Sequence, residues 1–154
     1  MGLVRQSFQN YLELVAGEDT ELSSEIAEKE LKLYPFCAGK NGICEWHADY
    51  DTPEPGHRHF SPLYAFYPGN SIGYDADPEQ RGWVEQLFRH RLAHSGQHIG
   101  WSAAWAICLS GRLRDARNAQ KVICDLLCHA VSRHPLCVQP PSFFPSYAHL
   151  GLAA

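Results

Sequence analysis

Apolar residues recur at intervals of three and four along most of this chain, and that spacing fits helices and argues against a sheet. Val4, Phe8, Tyr11, Leu12 and Val15 share one helical face, with Gly17 following as a stop. Leu22, Ile26, Leu31 and Leu33 make a second stripe, which Ser23 or Ser24 can cap and which ends before Pro35. A short helix is expected from Ser61 to Tyr67, with Pro62 in its first turn and Pro68-Gly69 as its end. Asp77-Pro78-Glu79 then combines an N-cap, a proline at the first helical position and an acid near the positive end of the dipole. Val84, Leu87, Phe88, Arg91 and Leu92 continue that helix until Gly96. Trp101, Trp105, Cys108, Leu109 and Leu113 form the next stripe, and Ala116, Ala119, Val122, Ile123, Leu126, Leu127, Ala130 and Val131 the last. The predicted class is all-α.

One interval breaks the rule. Pro35 to Arg58 has no period and is punctuated by Pro35, Gly39, Gly42, Pro53, Pro55 and Gly56. Long loops in short chains are functional or disordered, and a segment holding Trp46, His47, His57 and His59 among its acids reads as functional. After His134-Pro135 the pattern collapses again. The expected organisation is a helical domain over 1–134 and an irregular, disordered tail over 135–154.

With 154 residues there is room for one domain. Apolar residues at 45% and charged residues at 19% allow a packed core and argue against intrinsic disorder. A formal charge of −4 excludes a strongly basic nucleic-acid binder and gives no attraction to an anionic membrane surface. No apolar run reaches the roughly 18 residues that a membrane-spanning helix needs. The start of the sequence resembles neither a signal peptide nor a myristoylation site, and localisation is left open. The six cysteines lie at irregular spacings, never as Cys-x-x-Cys, and are expected to be mostly free thiols, with Cys108 and Cys124 on apolar helical faces.

Chemistry concentrates in the long loop. Glu45-Trp46-His47-Ala48-Asp49-Tyr50-Asp51 sets a carboxylic acid beside an indole, a pair suited to sugars: the ring stacks on the apolar face of a pyranose, while desolvation can raise the acid toward a proton donor. The alternative is a solvated acidic loop. His57-Arg58-His59 can turn both imidazoles one way if extended, and with Glu45 or Asp49 offers three metal ligands. His90 and His94 have helical ligand spacing but lack the glutamate of His-Glu-x-x-His, and Cys124, Cys128 and His129 have no second pair, so no metal site is expected. Trp101 and Trp105 share a helix face. Trp101 follows Gly100 at the helix entrance, where it can face a cavity or belong to the core.

Several motifs occur in one order. Gly42-Ile43-Cys44-Glu45-Trp46 with Asp49-Tyr50 comes first, then Gly56-His57-Arg58-His59-x-Ser61-x-Leu63-Tyr64 and Tyr67-Pro68-Gly69. Gly100-Trp101-Ser102-Ala103-Ala104-Trp105 and Arg112-Leu113 follow. Over about residues 3 to 130 this resembles part of the catalytic domain of glycoside hydrolase family 95. The resemblance implies an inverting α-L-fucosidase, some members taking α-L-galactosides, built as an (α/α)₆ toroid of which this chain would be a fragment with one long polar loop. It implies that a histidine of His57-Arg58-His59 contacts the terminal sugar and that Glu45-Trp46 shapes the wall nearby.

The departures from the family are equally specific. The family's proton donor lies in a Ser-Pro-Glu-Asn segment upstream of these motifs, and the asparagines that help hold the attacking water lie upstream as well. Its general base lies in a downstream stretch resembling His-Pro-Pro-Phe-Gln-Ile-Asp-Gly-Asn-Phe-Gly. Here Met1 begins after the first, and Gln139-Pro140-Pro141-Ser142-Phe143-Phe144-Pro145-Ser146-Tyr147 replaces the last with no aspartate. Pro62 also replaces a histidine, and Ser110-Gly111 a bulkier helical pair.

The expectation is therefore a fucosidase-like fragment, inactive alone, with no catalytic residue of its own and no cofactor. Its sugar-binding residues would be His57, His59, Glu45, Trp46, Asp49 and Trp101, and its partner a fucosylated glycan, with neither nucleic acid nor membrane involved. The alternative is a non-catalytic carbohydrate-binding or assembly module that self-associates through uncovered helix faces.

Overall fold

The computed structural model describes residues 1–16, 21–75, 77–129, 137–139 and 142–146. Helices dominate these residues, as the spacing predicts: α1 (Gly2–Leu14), α2 (Glu21–Leu31), α3 (Pro78–Ala93), α4 (Gly100–Arg112) and α5 (Ala116–His129). The strands are short: β1 (Ala38–Gly39) pairs antiparallel with β2 (Gly42–Ile43), and β3 (Cys137–Gln139) with β4 (Ser142–Ser146). A 3₁₀ turn spans Ser61–Ala65. The chain divides into two compact units, Met1–Asp51 with Ser61–Gln86, and Thr52–Phe60 with Leu87–Ala154.

In the first unit α1 packs against α2 and against the 3₁₀ turn. Gln9 Nε2 donates to Glu30 Oε1 at 2.9 Å, and Gln6 Oε1 accepts from the Asn70 amide at 3.0 Å. The buried apolar residues are Ile43, Leu63, Ala65, Phe66, Ile72 and Val84. The N-terminal half of α3 closes this unit, capped as its sequence predicts: Asp77 Oδ1 accepts from the amides of Glu79 and Gln80, both at 3.0 Å. The start of α2 differs from expectation. The helix begins at Glu21, so Ser23 and Ser24 lie inside it rather than at its cap, and an acid in the first turn suits the dipole there. Its apolar stripe is largely uncovered, with Leu31 88% exposed.

The second unit is built on α4 and α5, which pack along each other. Phe60, Leu87, Phe88, Ile99, Ala106, Leu109, Val122 and Leu126 form its core. Ser102 Oγ donates to the Ile99 carbonyl at 2.9 Å and accepts from the Ile99 amide at 3.3 Å, satisfying polar groups at the entrance to α4. Asp115 Oδ1 accepts from the Asn118 amide at 3.1 Å and so caps α5. The end of α3 refines the sequence reading. The Gly96 amide donates to the Arg91 carbonyl at 2.8 Å, but the left-handed residue is Ser95, with φ 63°.

Only half of the α5 stripe is buried: Val122 and Leu126 are covered, while Ile123, Leu127 and Cys124 are exposed. Cys124 therefore does not pack as a small core hydrophobe, because it lies on the half of the helix that α4 leaves open. Ala130 and Val131 lie outside the described residues. Most of the tail expected after residue 134 also lies outside them; where it is described, β3 and β4 form a hairpin and β3 approaches α4.

Candidate active site

The predicted site residues fall into two groups, one in each unit. In the first, the aperiodic loop contains a hairpin that its sequence does not announce, since two residues per strand are too few to show a period. Gly42 makes the return with φ 105°, a backbone region open to glycine. The Cys44 amide donates to the Cys37 carbonyl at 2.8 Å, extending the ladder. Glu45 and Trp46 follow directly and line a cavity of about 210 Å³ with Leu3, Phe36, Cys37, Cys44, His47 and Pro62. That volume lies below the roughly 300–1,000 Å³ of pockets for drug-sized ligands and suits a single small ring. Trp46 is 66% exposed, so its indole face is open to a ligand.

Asp49 and Asp51 have structural work in this unit. Asp49 Oδ2 accepts from the Lys40 amide at 2.9 Å, and Asp51 pairs with the Lys40 ammonium. The hydrogen bond from Lys40, then its charge, holds the Asp51 carboxyl below its ordinary value. His47 lies between Tyr34 and Tyr50, each ring centroid 5.6 Å from its own, and shares a 3.3 Å hydrogen bond with the Tyr50 hydroxyl.

The second group is His57, His59 and Trp101. The imidazoles of His57 and His59 lie 4.9 Å apart, and His59 meets the edge of Trp101 at 4.8 Å with an interplanar angle of 74°. The His59 amide donates to His57 Nδ1 at 3.1 Å. With Nδ1 accepting this bond, Nε2 is the ring nitrogen left to donate. Trp101 is half-buried and meets the histidine loop, whereas Trp105 packs edge-on to the buried Phe60 ring at 5.8 Å. The two indoles of one helix face, with centroids 6.2 Å apart, therefore meet neighbouring residues of the same loop, Trp101 at His59 and Trp105 at Phe60.

Two residues that sequence reasoning did not assign to the site set the path of this loop. Arg91, 2% exposed, donates from Nη1 to the carbonyls of Glu54 at 3.2 Å and Pro55 at 3.4 Å. It satisfies loop carbonyls that a helix or sheet would otherwise satisfy. Gly56 passes so close to α3 that a Cβ there would lie 1.9 Å from the His94 carbonyl oxygen. The signal for Arg91 was present as a charged residue on an otherwise apolar stripe, and that for Gly56 as the glycine that opens the His57-Arg58-His59 motif.

His90 in the last turn of α3 and His94 just past its end have ring centroids 4.5 Å apart, and His94 Nδ1 hydrogen-bonds to the His90 carbonyl at 2.8 Å. Burial, and then the neighbouring His94 and Arg91 charges, lower the His90 pKa from its ordinary value. Cys124 and Cys128 are exposed on α5, and the His129 side chain lies outside the described residues. Among the described residues no three His, Cys, Asp or Glu side chains are grouped to hold a metal ion, and no helix is long and apolar enough to cross a membrane.

The site residues thus set an open indole beside a carboxylate in one unit and a histidine pair against a second indole in the other. The chain belongs to glycosyl hydrolase family 95, whose catalytic domain it matches over residues 1–145. It is 30% identical over 112 residues to Alpha-L-fucosidase 2 of Arabidopsis thaliana, an alignment covering 72% of this chain and 13% of that protein. The chain thus spans a small part of the curated relative that it matches.

Proposed function

We propose that this chain supplies sugar-binding surface to an α-L-fucosidase-type glycoside hydrolase domain of the (α/α)₆ toroid kind, acting on α-L-fucosyl or α-L-galactosyl glycans with inversion. The observation that carries the reading is the His57–His59–Trp101 cluster, held from the inside by Arg91 and Gly56. His57 offers its Nε2–H to a ring hydroxyl, and the Trp101 ring offers an apolar face to the sugar's C–H groups. In the other unit, Trp46 and Glu45 give a stacking face and a hydroxyl acceptor, while Asp49 holds the hairpin that presents them.

These 154 residues alone do not hydrolyse a fucoside on this reading. Inverting hydrolysis needs an acid and a base on opposite sides of the scissile bond. The segment resembling the family's base-bearing stretch, Gln139 to Tyr147, has no carboxylate, and Glu45 is exposed rather than desolvated. The test measures binding of L-fucose by the shift of its NMR signals or of the chain's melting midpoint, together with release of aryl from an aryl α-L-fucoside. Binding that His57→Ala weakens, without turnover, is the expected result. Absence of binding defeats the sugar reading, and turnover that Glu45→Gln abolishes would make Glu45 a catalytic acid.

The exposed apolar residues favour a second reading. Leu14 and Leu31 in the first unit, and Ile123 and Leu127 in the second, leave uncovered helix faces suited to assembly. Sedimentation over a range of concentrations tests it: a monomer throughout argues against self-association.

A further inference from the structure

Cys37 and Cys44 are separated by the hairpin β1–β2 and brought together by it. The register pairs Ala38 with Ile43 and Gly39 with Gly42, so Cys37 and Cys44 are the next pair outward. The amide of Cys44 donates to the carbonyl of Cys37 at 2.8 Å, so the two residues face each other across the open end of the hairpin. Residues opposite one another on antiparallel strands hold their Cα atoms about 4.5–5.5 Å apart, inside the roughly 4.4–6.8 Å range that a disulfide spans. Both thiols are free and only partly covered, and both line the cavity that holds Glu45 and Trp46. The Cys37 thiol also donates to the Trp46 carbonyl at 3.6 Å.

We propose that Cys37 and Cys44 form a dithiol redox site, which closes to a cross-strand disulfide by exchange with a low-molecular-weight disulfide of the glutathione class. The Cys37 thiolate attacks one sulfur of the small disulfide, whose S–S bond breaks and releases one thiolate. The Cys44 thiolate then attacks the mixed disulfide at the Cys37 sulfur and expels the second. Two protein thiols are oxidised, one small disulfide is reduced to two thiols, and the two protons pass to the products.

The order of attack follows from the surroundings of each sulfur. Burial, and then the adjacent Cys37 sulfur, push the Cys44 thiol up to about 11, which disfavours Cys44 as the initiating thiolate; the Cys37 contribution ends once that sulfur is in the mixed disulfide, and Cys44 gives up its proton as it attacks. Closure needs little chain ordering, because the hairpin already fixes both backbones. It removes the thiol donor from the Trp46 carbonyl and stiffens the strand that leads into Glu45-Trp46. The site therefore couples thiol redox state to the presentation of that pair, and it stands independently of the sugar reading.

Trypsin separates the two cysteines, because Lys40 lies between them. The native chain would be equilibrated with oxidised and reduced glutathione, blocked with a maleimide, digested and weighed. The expected product joins the peptide Leu33–Lys40 to the peptide Asn41–Arg58, and dithiothreitol separates them. A Cys44→Ser variant should stop at glutathione held on Cys37, and its helical circular dichroism, compared with wild type, reports that it is folded. The same oxidation in denaturing urea should give scrambled pairings, showing that the fold selects the pair. Glutathione persisting on Cys37 or Cys44 of the native wild-type chain would overturn the proposal. So would pairing of either cysteine with Cys108, Cys124, Cys128 or Cys137.

Discussion

The segment carrying Glu45, Trp46 and Asp49 and the segment carrying His57 and His59 are neighbours in sequence, yet different physics holds each in place. The first is a surface device. A hairpin of two residues per strand, one carboxylate on a backbone amide and an exposed Lys40–Asp51 pair fix it, and exposed pairs contribute little. The second is anchored from within, by a buried guanidinium on two loop carbonyls, a glycine pressed against α3 and Phe60 sealed among Phe88 and Trp105. One sequence interval with uniform punctuation thus yields a compliant part and a rigid one, because the first sends only the Ile43 side chain of its hairpin into a core, while the second is tied to a buried guanidinium and to Phe60.

Substitutions sharpen that contrast. Arg91→Met should have the largest effect, a loss of about 2–3 kcal/mol, since it leaves the Glu54 and Pro55 carbonyls without their charged donor. Chemical denaturation monitored by Trp fluorescence measures it, and a change below about 0.5 kcal/mol would mean that the loop holds itself. Gly56→Ala should cost roughly 1–3 kcal/mol, because its Cβ meets backbone rather than a side chain that can turn away. An unchanged stability there would place the rigidity elsewhere.

Asp49→Ala, on the compliant side, should cost only about 1 kcal/mol, the worth of one hydrogen bond to the Lys40 amide. A loss as large as that of Arg91→Met would erase the distinction between the two regions.

The smallest expected effect is a pH dependence from His90. Its folded pKa is lowered, so the unfolded chain takes up the proton first. The contribution is complete above the ordinary histidine value of 6.5, shrinks as pH falls below it, and levels off once the folded ring also protonates. Denaturation midpoints of wild type and His90→Gln should differ in slope across that window, and parallel curves would remove His90 as the cause.

Local chemistry was legible wherever it acts within a turn or two of helix. Asp77 caps α3 as its sequence announces, and α4 and α5 pack along each other. At α2 the same logic chose Ser23 or Ser24, but the helix starts at Glu21: two serines in an acidic run offer several equivalent starts, and no local rule ranks them. The β1–β2 hairpin was too short to show a period. Half of the α5 stripe remained exposed because periodicity marks an apolar face without saying how much of it a neighbour will cover.

By itself, the sequence determined the helical class, the order of the helices, the aperiodic interval between them and the family whose motifs that interval carries. These depend on contacts between residues three and four apart and on motifs read in order. Only the tertiary structure decided what fixes the interval. Arg91 binds carbonyls 36 and 37 residues away in the chain, and Gly56 is required by the His94 carbonyl just past the end of α3. The same is true of the partners of Trp101 and Trp105, since a helix places both on one face and only the loop that comes to meet them sets His59 against the first and Phe60 against the second. Such choices rest on distances between segments remote in sequence, and no local spacing encodes them.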